Sequence, residues 1–200
     1  MKRLPSVIIY TLAIVASPAV AFAHLVNSGL GPFYDGALHL LMSPGDLLGL
    51  VAAALLAGLR GARACRMTIL VLPSAWCLSG LIGLNLHFAL DLAWLSVLSF
   101  VILGAMVALD PKLPEIVVVV LAGSYGTLHG LLNGTALSAI GAGPISLLGI
   151  AATVMVIALL VAAAVVSLRA NWAHIAVRVA GSWVAAIGML MFGWLVRGST

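Results

Sequence analysis

Charge is what this sequence has least of. Asp, Glu, Lys and Arg make up 7% of its 200 residues, where a soluble domain carries about a quarter. So few charges cannot cover a water-facing surface, and a free-standing soluble fold is excluded. The net charge of +4 is spread as single basic residues or one small cluster between apolar runs, so it is no nucleic-acid footprint. Cysteine is nearly absent too: Cys65 and Cys77 form no CxxC pair, which argues against a disulfide framework or a thiolate metal site. There is no GxxxxGK[ST] phosphate loop. Short alternating segments of roughly 10 residues, the mark of a membrane β-barrel, are missing as well.

What remains is apolar. Hydrophobic residues reach 64% of the chain, in runs close to the roughly 20 residues that cross a hydrocarbon layer. The reading is all-α: a polytopic membrane bundle of about six transmembrane helices after an N-terminal signal peptide. Lys2 and Arg3 lead an apolar core, VIIYTLAIVA, and Ala21-Phe22-Ala23 supplies a small-x-small cleavage site. Residues 1–23 are thus read as signal and 24–200 as a single transmembrane domain, the alternative being an uncleaved first span.

The spans fall at about 44–59, 68–86, 92–109, 114–133, 144–166 and 174–196. Arg60, Arg63 and Arg66 follow the first span, Lys112 the third and Arg169 the fifth, whereas the connections at 87–91 and 134–143 hold no Lys or Arg. The positive-inside rule then puts the arginine loops in the cytoplasm of a bacterium, the protein in its inner membrane, and the mature N-terminus outside. Short connections imply antiparallel neighbours.

Ser43-Pro44-Gly45-Asp46 reads as a helix start: serine at the cap, proline at the first position and an acid three residues after the cap. A helix from there to Leu59 has about 16 residues, or about 24 Å, which is short for a span. Residues 34–42 are therefore expected to form a half-helix that dips into the membrane before the chain restarts, with a short interfacial helix as the alternative.

Ionisable and amide side chains recur at helical spacing. Asp35 and His39 are four residues apart, as are His87 and Asp91, and His129 and Asn133. By the topology above, all three pairs belong to the external half of the bundle, together with His24, which would head the mature chain. Such groups are costly at membrane depth, at least about 2.5 kcal/mol for an aspartate, and usually mark function. Imidazole with carboxylate or amide suits Ni²⁺, Co²⁺ or Zn²⁺ better than Cu⁺. The candidate metal residues are His24, Asp35, His39, Asp46, His87, Asp91, His129 and Asn133. Each has a plainer reading. Asp46 fits the capping carboxylate of its helix, His87 a helix-to-helix hydrogen bond, Asp91 a solvated turn and His24 a frayed terminus. His174, beside Trp172, fits an interfacial anchor. Gly123, Gly126, Gly130 and Gly134 give the fourth span a smooth face for close helix packing.

The stretch HLVNSGLGPFYDGALHLLMSPGDLLGL with LLAGLRG, and GTLHGLLNG further on, resembles the HupE/UreJ family. The resemblance implies a nickel or cobalt permease. The family's first signature is a histidine, five residues, then Asp-His, and its second is roughly Phe-His-Gly-x-Ala-His-Gly-x-Glu. This chain departs from both: Asp35-x-x-x-His39 has no adjacent Asp-His, and Asn133-Gly134 stands where a second His-Gly or the glutamate is expected. His39 and His129 carry over best.

The expectation is a permease for a divalent transition metal, not an enzyme, with the ion as its ligand. Its partners would be the lipid bilayer and the ion, with no nucleic acid; a homo-oligomer or a metalloenzyme-maturation partner is compatible. One alternative is a non-transporting metal-binding or accessory protein for metalloenzyme maturation. Another is an intramembrane metal-dependent hydrolase, for which GSYG lacks the GxSxG elbow and no glutamate lies near the external cluster.

Overall fold

The computed structural model describes residues 28–86 and 92–198. Among them are seven helices and no strand: α1 Pro32–Met42, α2 Pro44–Arg60, α3 Ala62–Leu84, α4 Ala93–Leu109, α5 Glu115–Ala139, α6 Pro144–Val166 and α7 Asn171–Gly198. Proline opens α1, α2 and α6 at the first positions, where its missing N–H costs nothing. Helices α3, α5, α6 and α7 are each long and apolar enough to cross a membrane. Helices α1 and α2 meet that test only as a pair, bent by 79° at Ser43, and α4 is a shorter apolar helix of 17 residues. The half-helix expected before Pro44 is present as α1, and the first span is broken where Ser43 and Pro44 interrupt the ladder.

Contacts fix the directions. The ion pair of Arg60 with Asp110 brings the C-terminal ends of α2 and α4 together. Gly58 lies against Ala162 and Val165, so α2 and α6 also run in parallel. On α5, Gly126 meets Leu72, Gly130 meets Trp76 and Gly134 meets Gly80, so α3 and α5 are parallel. Asp46 pairs with His129, and Gly49 faces Tyr125, so α5 runs against α2. Gly104 and Gly188 set α7 antiparallel to α4. One end of the bundle carries α1 and the starts of α2, α4 and α6. The other carries Arg60, Arg63, Arg66, Lys112 and Arg169, and is called the arginine end below.

Two helices run further than hydropathy suggests. α3 begins at Ala62, which takes Arg63 and Arg66 into its first turns. α5 continues to Ala139, six residues past the expected 133. Apolar runs report what sits in hydrocarbon, while backbone hydrogen bonds continue beyond it and long arginine stems reach back to water. The extension of α5 matters for function: His129 is ten residues from its end, about 15 Å along the axis, and so lies inside the bundle rather than at its rim.

The glycine face of α5 packs on α3. A Cβ at Gly126, Gly130 or Gly134 would run into the carbonyls of Leu72, Trp76 or Gly80 respectively. In a bilayer, where apolar burial gives little net drive, this backbone proximity and its dispersion contacts hold helices together. By contrast, α4 and α5 share little contact.

Candidate functional site

The site is built where α2 restarts. Ser43 does not make the reciprocal cap that the sequence suggests: its N–H donates to Leu40 O at 3.2 Å and its hydroxyl to His39 O at 2.8 Å. Asp46 is therefore not engaged as a capping carboxylate of Ser43. It reaches across to α5, where His129 Nδ1 lies 2.6 Å from its Oδ1 and Asn133 Nδ2 donates to its Oδ2 at 3.0 Å. Asn133 Nδ2 also donates to His129 O at 2.9 Å, which fixes the amide.

One stripe of α5 supplies these partners. Tyr125, His129 and Asn133 are successive i, i+4 positions and share a face. The Tyr125 hydroxyl donates to Asp46 O at 2.7 Å, and its ring stacks on the imidazole with centroids 4.1 Å apart. Gly49, one turn after Asp46, is required here because a Cβ would enter the Tyr125 ring. On the far side of the imidazole, Ser99 Oγ of α4 lies 3.0 Å from Nε2. Trp76 of α3 closes the cluster, with its ring centroid 5.8 Å from both the Tyr125 and His129 rings.

His129 is fully enclosed, Asn133 is 5% exposed and the Asp46 side chain 15%. A carboxylate so placed loses its hydration and must be repaid by donors; His129 and Asn133 provide two. Because a carboxylate only accepts, His129 Nδ1 carries the proton of its bond to Asp46, and Ser99, whose hydroxyl donates to Ser96 O at 2.6 Å, stands at the other ring nitrogen.

His39 comes in from α1. It is 8% exposed, and its ring meets the Asn133 side chain within the field of Asp46. Asn133 Oδ1 is buried without a hydrogen bond of normal geometry and faces the His39 ring. The structure thus brings His39, His129 and Asn133 together as a set, with Asp46 rather than Asp35 as their carboxylate. Asp35 turns the other way and accepts from Ser28 N–H at 2.7 Å and from its hydroxyl at 2.5 Å, tying the incoming chain to the first turn of α1. The i, i+4 spacing to His39 is real, but Ser28 offers Asp35 two donors at once. His24, His87 and Asp91 lie outside the described residues. His174 sits half-buried in the first turn of α7 at the arginine end, away from this set. Among the described residues, no three His, Cys, Asp or Glu side chains assemble as a metal cage.

Ser99, Tyr125 and Trp76 are site residues that charge-based reading passes over. Ser96 and Ser99 do leave a trace: two hydroxyls three apart on one face of an otherwise apolar helix.

The HupE / UreJ protein family model matches residues 12–191, and the chain belongs to that family. No curated protein and no solved structure matches it.

Proposed function

We propose that this membrane protein handles a divalent transition metal ion, nickel or cobalt, as a permease whose binding site is His39, Asp46 and Asn133. Family membership supports nickel- or cobalt-related membrane work. The observation that carries the residue assignment is the convergence of the His39 ring and the Asp46 carboxylate on the Asn133 amide, whose buried Oδ1 makes no hydrogen bond of normal geometry. One nitrogen and two oxygens of this kind suit a borderline divalent ion. His129 then acts behind the carboxylate, orienting it as second-shell partners orient ligands. His24, His87 and Asp91 are proposed to guide the ion in, and Asp35 to hold the entrance segment that carries His39.

In this reading residues 1–23 are a cleaved signal, and the α1 end faces outside the cytoplasmic membrane of a bacterium. The broken span brings α1 and the start of α2 to the depth at which α5 offers His129 and Asn133, as broken helices do in transporters.

Two measurements test the proposal. Purified protein should bind Ni²⁺ or Co²⁺ in equilibrium dialysis, and His39→Ala with Asp46→Asn should weaken binding at least about tenfold. Proteoliposomes containing the protein should take up the ion. Unchanged affinity in the double variant sinks the site. Binding without flux replaces the permease by an accessory role in metalloenzyme maturation.

A further inference from the structure

Helix α1 is 11 residues long, short of the roughly 12–15 residues at which a helix begins to hold itself. Its N-cap, Gly31, offers no side-chain cap, and the Ser28–Asp35 bonds are local, so they move with the helix. It joins α2 through Ser43 alone, at a bend of 79°. It rests on α6 far more than on α2 or α5. The position of His39 is therefore decided by the seam between α1 and α6.

Two glycines make that seam, one from each helix. A Cβ at Gly36 would run into Ser146 O, and a Cβ at Gly149 into Phe33 O. Both obstacles are backbone atoms that cannot rotate aside, so an added methyl drives α1 away from α6. Gly36, His39 and Leu40 are the buried residues of α1 and share one face. The turn pressed on α6 is thus the turn that carries His39, although α6 gives the site no ligand. Asp46 and Asn133 are held differently. Asn133 Nδ2 donates to Asp46 Oδ2, His129 bonds to both residues, and none of these bonds involves α1. Loosening the seam displaces the one nitrogen and leaves the two oxygens in place.

We propose that Gly36 and Gly149 are positioning residues that set the choice of ion, by holding His39 within reach of an ion seated on Asp46 and Asn133. The inference rests on the ion site proposed above. With the imidazole in reach, the donors suit nickel or cobalt; carboxylate and amide oxygens alone suit harder ions such as Mn²⁺. The seam acts on selectivity, which a general loss of stability would not change.

The test is equilibrium dialysis of the full-length protein in lipid nanodiscs, against Ni²⁺ and against Mn²⁺. Gly149→Ala should weaken Ni²⁺ binding at least about tenfold, the scale on which lost support of a metal ligand acts, and leave Mn²⁺ binding unchanged. Gly36→Ala, which presses on the same seam from the other helix, should do the same. His39→Ala should show the same altered selectivity. Adding Gly149→Ala to it should change nothing further, because both act through one imidazole. Gly143→Ala, with open space around it, should keep the wild-type selectivity. The proposal is overturned if the two seam variants weaken Ni²⁺ and Mn²⁺ alike, or if their effects add to that of His39→Ala. If His39→Ala itself keeps the wild-type selectivity, the ion site fails and the seam proposal with it.

Discussion

Charged and polar partners tie helices together near each end of α2, and the two ends are built on opposite plans. At the arginine end Arg60 pairs with Asp110, and Arg63 with Glu115 at 3.4 Å, on side chains 75% and 40% exposed for the second pair. Every carboxylate there has a permanent cation beside it. At the restart of α2, Asp46 has only an imidazole and an amide, deep among apolar helices. A rim pair can be solvated if it breaks, so it serves topology and modest stability. A buried carboxylate with no arginine is retained at a cost, and the cost makes sense only if something else uses that oxygen.

The sharpest way to break the contrast is Asp46→Ala. It strands the His129 Nδ1–H and one Asn133 N–H among buried apolar side chains. Removing one partner of a buried pair costs about 3–5 kcal/mol. Thermal unfolding in detergent should show this as the largest loss among single carboxylate variants, with Ni²⁺ binding lost as well. Asp110→Ala should leave ion binding intact.

The same region can be disturbed without touching charge. Gly49→Ala drives a methyl into the Tyr125 ring, so α5 must retreat from α2 and stretch the Asp46–His129 contact. Overpacking of this kind costs about 1–3 kcal/mol. Ion affinity should fall together with stability, whereas the corresponding change at Gly193, which has open space around it, should alter neither.

Much of this was legible in residues 44–196, and the boundary of legibility is physical. Proline at a first helical turn and long apolar runs write themselves locally, so α2, α4 and α6 begin within a residue of their expected starts. The histidines and Asn133 stood out because polar groups are expensive in hydrocarbon. Asp46 was harder: its spacing from Ser43 fits a cap, and only the meeting of α2 with α5 gives the carboxylate better partners. His39 and Asp46 are separated by six residues, one more than the family's first signature, which was the available hint. Ser99 was harder still, because the two hydroxyls of AWLSVLSF acquire meaning only when α4 is laid beside His129. The glycine face of α5 was read correctly as a packing surface, yet sequence could not choose α3 as its partner.

At the arginine end the effects should be smaller and graded by exposure. The Arg60 side chain is 12% exposed and Asp110 31%, so Asp110→Asn should cost about 1–2 kcal/mol, between surface and buried pairs. Asparagine is the informative replacement, because position 110 has φ of 48° and asparagine tolerates that left-handed conformation. Any loss then reports the charge rather than the backbone.

Arg63→Ala should be the mildest change, below about 1 kcal/mol. Its partner Glu115 sits in the first turn of α5, where a negative charge is already favoured by the helix dipole without arginine's help. Salt separates this pair from the deep one. Exposed charges are screened within a Debye length of about 10 Å at 0.1 M salt, so the Arg63→Ala penalty should vanish in unfolding scans at high ionic strength. The Asp46→Ala penalty should persist there, because the enclosed contact with His129 is screened far less by bulk salt. If both penalties faded together, the Asp46 pocket would be open to solvent and the contrast between the two ends would be lost.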